Sequence, residues 1–265
     1  MEIRGATVLL TGANGGLGLA IGRALKAEGA ELVVTGRRED ALKPVADELG
    51  ARMVLADLAD REQVAALAER AGAIDVLVAN AALPSSGELL EYSPEQVDRA
   101  LDVNLRAPIM LARQLAPAMV AAGRGHLVMV GSISGKTATA ASSLYNATKY
   151  GLRGFTLGFR QDLHGTGVGV SLIQPGFVRD AGMFHDTGAK TPGGARTSTP
   201  RQVARGVLSA IRRNRAEVNI APFEIRALSA IGGQFPGFSE RVQRLVVRPG
   251  DPDMKRFLDA QKTKR

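Results

Sequence analysis

Short apolar, β-branched runs recur along the first half of the chain: ATVLL (6–10), ELVVT (31–35), RMVLA (52–56), IDVLVA (74–79) and HLVMV (126–130). Each reads as a strand covered on both faces. Between them the spacing turns helical, as in GLGLAIGRALKAEG and REQVAALAERAG, each closed by a glycine suited to a helix end. A long helix is expected over 94–121, with Ser93 as N-cap and Pro94 next to it, and another near 144–164. A strand at 169–174, a helix opened by Thr199-Pro200 and a strand near 217–221 follow. Alternation of strand and helix implies parallel strands joined by right-handed crossovers. The expected fold class is therefore α/β, a single-domain doubly wound parallel sheet with helices on both faces. No internal repeat or linker divides the chain, so 1–265 is read as one domain.

Residues 180–198, DAGMFHDTGAKTPGGARTS, lack either periodicity and are long for a connection in a compact domain. They leave the C-terminal end of a strand, where ligands sit in open α/β sheets, so they are expected to form a substrate lid. The chain has no cysteine, which excludes a disulfide framework, a thiol nucleophile and a cysteine-ligated metal, and suits a reducing cytosol. The opening MEIRGATVLLTG does not read as a signal peptide and no stretch is long enough to span a bilayer, so a cytoplasmic protein is expected.

The net charge of +8 is uneven: residues 201–265 hold 14 Lys+Arg against 6 Asp+Glu, and residues 1–200 hold 20 of each. That last quarter has no Tyr or Trp, and no nucleic-acid partner is expected. The basic helical extension over 223–265 reads mainly as solvated helix faces and a frayed tail, QKTKR. Contact with anionic lipid or an acidic partner, through segments such as FSERVQRLVVRPG, is the alternative. Three separate histidines, His126, His164 and His185, do not make a metal site, although His185 falls in the lid and is a candidate substrate contact.

The candidate chemistry begins after the first strand, at TGANGGLGLA. Gly12-x-x-x-Gly16-x-Gly18 permits a tight turn, brings backbone N–H groups to a pyrophosphate and aims a helix N-terminus at it. The second strand ends in Gly36-Arg37-Arg38, where a bare ribose would call for an acid; guanidinium groups suit a 2′-phosphate instead, and solvated helix-entry charges are the plainer reading. Asp57-Leu58 ends the third strand, where the carboxylate could meet an adenine amino group or cap a helix.

In SLYNATKYG, Tyr145 and Lys149 stand at i,i+4 and share a helix face, whereas Tyr150 points elsewhere. A fixed ammonium would lower the tyrosine pKa toward acid/base use. Ser132, just beyond a strand end, could polarise a carbonyl, with Ser134 as its competitor. Pro108 lacks an N–H, so the carbonyl of Asn104 loses its helical donor and is expected to hold a water linking Lys149 to solvent.

Assembled, these residues resemble the short-chain dehydrogenase/reductase family over roughly residues 4–222: Thr11-Gly12-x-x-x-Gly16-x-Gly18, Asp57, Asn80-Ala81, Asn104, Ser132, Tyr145-x-x-x-Lys149 and Pro175-Gly176. The resemblance implies a Rossmann-like sheet of about seven strands and hydride transfer between a nicotinamide and a secondary alcohol, ketone or aldehyde. It implies NADP(H) as the cofactor, with NAD(H) as the alternative, held by Gly12, Asn14, Gly16, Leu17, Gly18, Arg37, Arg38, Asp57, Leu58, Asn80, Tyr145, Lys149, Pro175, Gly176 and Val178. Tyr145 would be the acid/base, Ser132 would orient the substrate oxygen, Lys149 would hold the ribose and lower the tyrosine pKa, and Asn104 would anchor a relay water. It also implies a homodimer or homotetramer built on the two long helices. Three departures stand out: Ala79 and Ala82 in ANAAL, Asp180 near the place of a threonine, and Gly15 where a basic residue is frequent. A non-catalytic NADP(H) sensor and a membrane-surface protein are the rival readings.

Overall fold

The computed structural model describes residues 1–189, 191, 194–246 and 252–262, with the side chains of 242–246 and 252–254 left aside. Seven strands, β1 (Thr7–Thr11), β2 (Glu31–Gly36), β3 (Arg52–Leu55), β4 (Val76–Ala79), β5 (Gly125–Val130), β6 (Val168–Pro175) and β7 (Glu217–Ile220), form one sheet in the order β3-β2-β1-β4-β5-β6-β7. Every pairing is parallel. These are the expected strands, each within about two residues of its sequence-based ends.

Strand side chains alternate between two apolar layers. Val8, Leu10, Val34, Val76 and Val128 face α1 (Gly16–Ala27), α2 (Glu39–Leu49) and α7 (Pro200–Arg213) through Ile21, Leu25, Leu42, Leu49, Val203 and Val207. Leu9, Val33, Leu77, Leu127 and Met129 face α3 (Arg61–Ala71), α5 (Ala107–Ala121) and α6 (Ser143–Asp162) through Val64, Leu67, Leu111, Leu115 and Leu152. Covering on both sides is why β5 and β6 are buried at every position and read as mainly apolar runs, with His126, Ser171 and Gln174 as the buried polar exceptions. Successive strands run outward one way from β1 to β3 and the other way from β4 to β7, so the order reverses between β1 and β4. A crevice opens there at the strands' C-terminal ends.

One element differs from expectation. The helix over 94–121 is interrupted: α4 (Pro94–Leu101) passes into a π-helical turn at Asp102–Arg106 before α5 begins. Pro108 cannot donate to Asn104, and a wider turn is how a helix absorbs such a gap. The N-cap at Ser93 is present as a full capping box with Gln96. The helix whose entry Arg37 and Arg38 would mark is α2, with Pro44 in its interior.

Beyond β7 lie α8 (Phe223–Gln234), α9 (Pro236–Val246) and α10 (Pro252–Lys262). The expected frayed tail is helical in part: Gln261 is buried and Lys262 pairs with Glu91. Residues 263–265 lie outside the described residues. No helix among the described residues is long and apolar enough to cross a membrane.

Candidate active site

The crevice is floored by the turn after β1. Gly12 has φ +66, and a Cβ there would lie 2.8 Å from the Ala81 Cα; one on Gly18 would lie 2.1 Å from the Gly12 oxygen. Both positions therefore demand glycine, because backbone meets backbone. Thr11, quoted in the sequence motif without a role of its own, is the hub: its buried hydroxyl accepts from the N–H groups of Asn80 (3.0 Å) and Ala81 (2.9 Å). The Asn80 side chain donates to the Thr11 and Gly12 carbonyls at 3.0 and 3.2 Å, tying the end of β4 to the glycine turn.

The helix that follows is open to an anion. Asp60, Ser93 and Thr199 cap α3, α4 and α7 with side-chain oxygens, whereas α1 starts after Gly15 with no side-chain cap and no acid in its first turn. The leading N–H groups of Gly16, Leu17 and Gly18 and the positive end of the helix are left for a ligand, and the glycine cradle admits a pyrophosphate against them. Leu17 packs on the core beneath, and Asn14 is exposed on the turn.

At the end of β2, Arg37 and Arg38 are both exposed, but they are not equivalent. Arg38 binds Asp40 through two hydrogen bonds of 3.1 and 2.6 Å, while Arg37 makes no ion pair or hydrogen bond with the described residues. The Asp57 carboxylate accepts from the Ala59 N–H at 3.0 Å and stands 3.8 Å from Arg99. Of the two readings of Asp57, helix capping is excluded, since Asp60 holds that role by accepting from Glu62 and Gln63. Leu58 packs against the second apolar layer.

Across the crevice, β5 ends at Val130 and Ser132 opens a short 3-10 turn, Ile133–Gly135, its Oγ accepting from the Ser134 N–H at 3.1 Å. Helix α6 presents Tyr145 and Lys149 on the same side. Lys149 is buried, donates to the Val130 carbonyl at 3.2 Å and lies 5.6 Å from the Tyr145 ring centre. Burial pushes its pKa down to about 8. Tyr145 departs from expectation: burial raises the phenol's pKa, opposed by its hydrogen bond with Ser132, and Lys149 does not bring it down. Tyr150 is exposed, as a scaffold residue would be.

Asn104, on the π-helical turn, is buried, and its side chain does what sequence reasoning missed. Oδ1 accepts from the Leu83 N–H at 2.6 Å, while Nδ2 donates to the Leu83 carbonyl (2.9 Å) and to Ser85 Oγ (3.3 Å). It therefore pins the loop after β4 against the site.

The third wall follows β6. The Gly176 N–H, next to Pro175, donates to Ile220. Val178 bridges to Ser198, and the Arg179 and Ser198 N–H groups donate to Ser198 and Phe177. These contacts stitch the base of 180–198 shut. From there Ala181 reaches the glycine turn, so close that a Cβ on Gly16 would lie 2.6 Å from the Ala181 Cβ. Asp180, at φ +69, stays exposed beside Arg179. Phe184 packs on Phe177 (4.8 Å between ring centres) and on Phe257 of α10 (6.1 Å), an aromatic cluster whose partners are too distant in sequence to be paired by pattern. His185 is exposed beside Asp186, and His126 is buried in β5 with its Nε2 2.8 Å from Ser171 Oγ.

A switch-point crevice with an uncapped glycine-rich helix start on one side and a serine, tyrosine and lysine on the other defines an α/β oxidoreductase with a dinucleotide cradle. The family model described as short chain dehydrogenase matches residues 6–192, and the chain belongs to that family. It is 36% identical over 256 residues to the ketoacyl reductase HetN of Nostoc sp. (strain PCC 7120), an alignment spanning 91% of this chain and 89% of that protein. Among solved structures, a metagenomic short-chain oxidoreductase in complex with NADP matches with TM-score 0.70 and 31% identity over 84% of this chain and 99% of its own. The closed form of serine dehydrogenase complexed with NADP+ matches with TM-score 0.71 and 29% identity over 82% and 95%. The protein is thus an oxidoreductase acting on CH–OH groups.

Proposed function

We propose that the protein is an NADP(H)-dependent oxidoreductase interconverting a secondary alcohol and a ketone or aldehyde, with Tyr145 as the acid/base. The observation that carries this is the convergence of Ser132, Tyr145 and Lys149 beside the glycine cradle. The nicotinamide, when bound, supplies or accepts the hydride at the substrate carbon. In reduction, Tyr145 gives its phenolic proton to the carbonyl oxygen, and the burial that raises its pKa keeps that proton in place beforehand. Ser132 Oγ accepts from the Ser134 N–H, and its O–H, which bonds Tyr145 before substrate arrives, would turn to donate to the same oxygen. Lys149, at a pKa of about 8, exchanges its proton near neutrality far more readily than an exposed lysine and replenishes the phenol.

Gly12, Asn14, Gly16, Leu17 and Gly18 would take the pyrophosphate region, Asp57 and Leu58 the adenine, Asn80 the floor, and Pro175, Gly176 and Val178 the nicotinamide end. The unpaired Arg37 favours a 2′-phosphate, and the two NADP complexes above support that preference. The ketoacyl name of the Nostoc relative supports a ketone substrate. Asn104 acts as a positioning residue for 83–85, and residues 180–198 act as the substrate lid. The outer faces of α5 and α6 would carry a homodimer or homotetramer, in a cytoplasmic setting. Steady-state NADPH oxidation across ketones and aldehydes tests the proposal. Tight NADPH binding with no turnover on any of them would favour the sensor reading instead.

A further inference from the structure

Helix α8 and its C-cap Phe235 carry an apolar strip that the described residues leave uncovered. Phe223, Leu228, Ile231 and Phe235 are 77, 50, 45 and 63% exposed. At 100° per residue they fall within an arc of about 140°. The opposite side of α8 is its contact with the protein: Ser229 and Gly232 are buried, and a Cβ on Gly232 would come within 3.0 Å of Thr137 Oγ1. The chain turns tightly into α9, with the Phe238 N–H donating to the Phe235 carbonyl, and Phe238 adds a further 53% exposed ring at that corner.

Cations border the strip. Arg226 and Arg241 are exposed and form no ion pair with a described residue. The acid inside the arc, Glu224, is neutralised by Arg196 through two hydrogen bonds of 2.9 and 2.7 Å. The whole surplus of +8 lies in residues 201–265, while the remaining chain is neutral. An exposed apolar face rimmed with phenylalanines and arginines is the chemistry of a helix lying in a bilayer interface.

We propose that the α8–α9 corner docks on an anionic bilayer surface. A second copy of the chain fits the corner less well, because pairing two such faces would bring unpaired arginines together in a closing, low-dielectric contact. Anionic headgroups satisfy those arginines while the acyl boundary takes the phenylalanines. The docked helix adjoins the reaction site by its other side: α8 packs through Gly232 and Gly233 on Thr137 and Lys136, which directly follow the turn opened by Ser132. Docking therefore sets the mouth of the site near the membrane, where an apolar ketone would be dissolved.

The test is co-sedimentation of the full chain with phosphatidylcholine vesicles, with and without phosphatidylglycerol. The expected result is binding to the anionic vesicles alone, weakened by salt. Arg226→Gln with Arg241→Gln should weaken it by roughly fivefold per charge, and Phe223→Ser with Phe235→Ser should abolish it. Thermal melting and NADPH affinity should stay unchanged in both double variants, which separates lost docking from lost folding. Binding that ignores these substitutions, or a chain that stays in the supernatant with both vesicle types, would overturn the proposal. So would an oligomer that the phenylalanine variant converts to monomer, which would make the corner a self-contact. Vesicle binding does not depend on turnover, so failure of the catalytic reading would leave this result standing.

Discussion

Replacing Lys149 by methionine should make the protein more stable and less active. Burial takes the Lys149 pKa from 10.5 to about 8, so keeping its proton at pH 7 costs the folded state about 3 kcal/mol. Methionine has a similar length and no charge to desolvate. What it gives up is the 3.2 Å hydrogen bond to the Val130 carbonyl, a loss of about 1–2 kcal/mol with that acceptor left buried. The net gain is about 1–2 kcal/mol, or about 2–8 °C in Tm for a chain of this size. The sign with pH follows from the lowered folded value: between about 8 and 10.5 the unfolded chain binds more proton, so wild-type stability rises with pH there. The advantage of Lys149→Met should consequently shrink by about 1 kcal/mol between pH 7 and pH 9. Urea midpoints for both proteins at the two pH values measure this, with NADPH oxidation in parallel. A variant that is less stable at pH 7, or whose difference from wild type does not change with pH, would refute the reasoning.

Other outcomes follow from the same geometry. His126 is buried and held neutral, its pKa pushed down to about 3 from 6.5, so its stabilising influence is full above pH 6.5 and is lost as pH falls from 6.5 toward 3. Wild type should lose about 2 kcal/mol between pH 7 and pH 5 by urea titration, an increment absent from His126→Gln. Arg37→Ser should raise the KM for NADPH by about tenfold or more while leaving that for NADH within about twofold, and Arg38→Ser, already engaged by Asp40, should do less. Asn104→Ala should release the Leu83–Ser85 loop, raising substrate KM more than it lowers kcat and costing about 1–3 kcal/mol of stability. Asp60→Ala should cost about 0.5–2 kcal/mol with turnover unchanged, because it removes only the α3 cap.

The strands were legible because double-sided burial demands runs such as VGVSLIQP, and the glycine positions because only glycine survives the 2–3 Å approaches at Gly12 and Gly18. The i,i+4 pairing of Tyr145 with Lys149 is likewise a local fact of helix geometry. What escaped the sequence depends on distant partners. The expectation for Asn104 concerned its backbone carbonyl, whereas the hold of its side chain on a loop some twenty residues away was not foreseen. The Tyr145 pKa moves up because the half-buried phenol is partly desolvated, and a pattern of residue types carries no measure of burial. The division of labour between Arg37 and Arg38 turns on Asp40, whose bidentate geometry only the folded chain fixes. At the C-terminus the positive charge was visible, but not the exposure of Phe223 and Phe235 beside it.

The central claim is that Tyr145 transfers the proton. NADPH oxidation by wild type and Tyr145→Phe, on whichever carbonyl compound the wild type turns over, tests it most directly, with the NADPH dissociation constant measured for both. The account predicts a loss of about 10²–10⁴-fold in kcat with NADPH binding within a few-fold of wild type. Equal rates in the two proteins would show that another group supplies the proton and would contradict the mechanism.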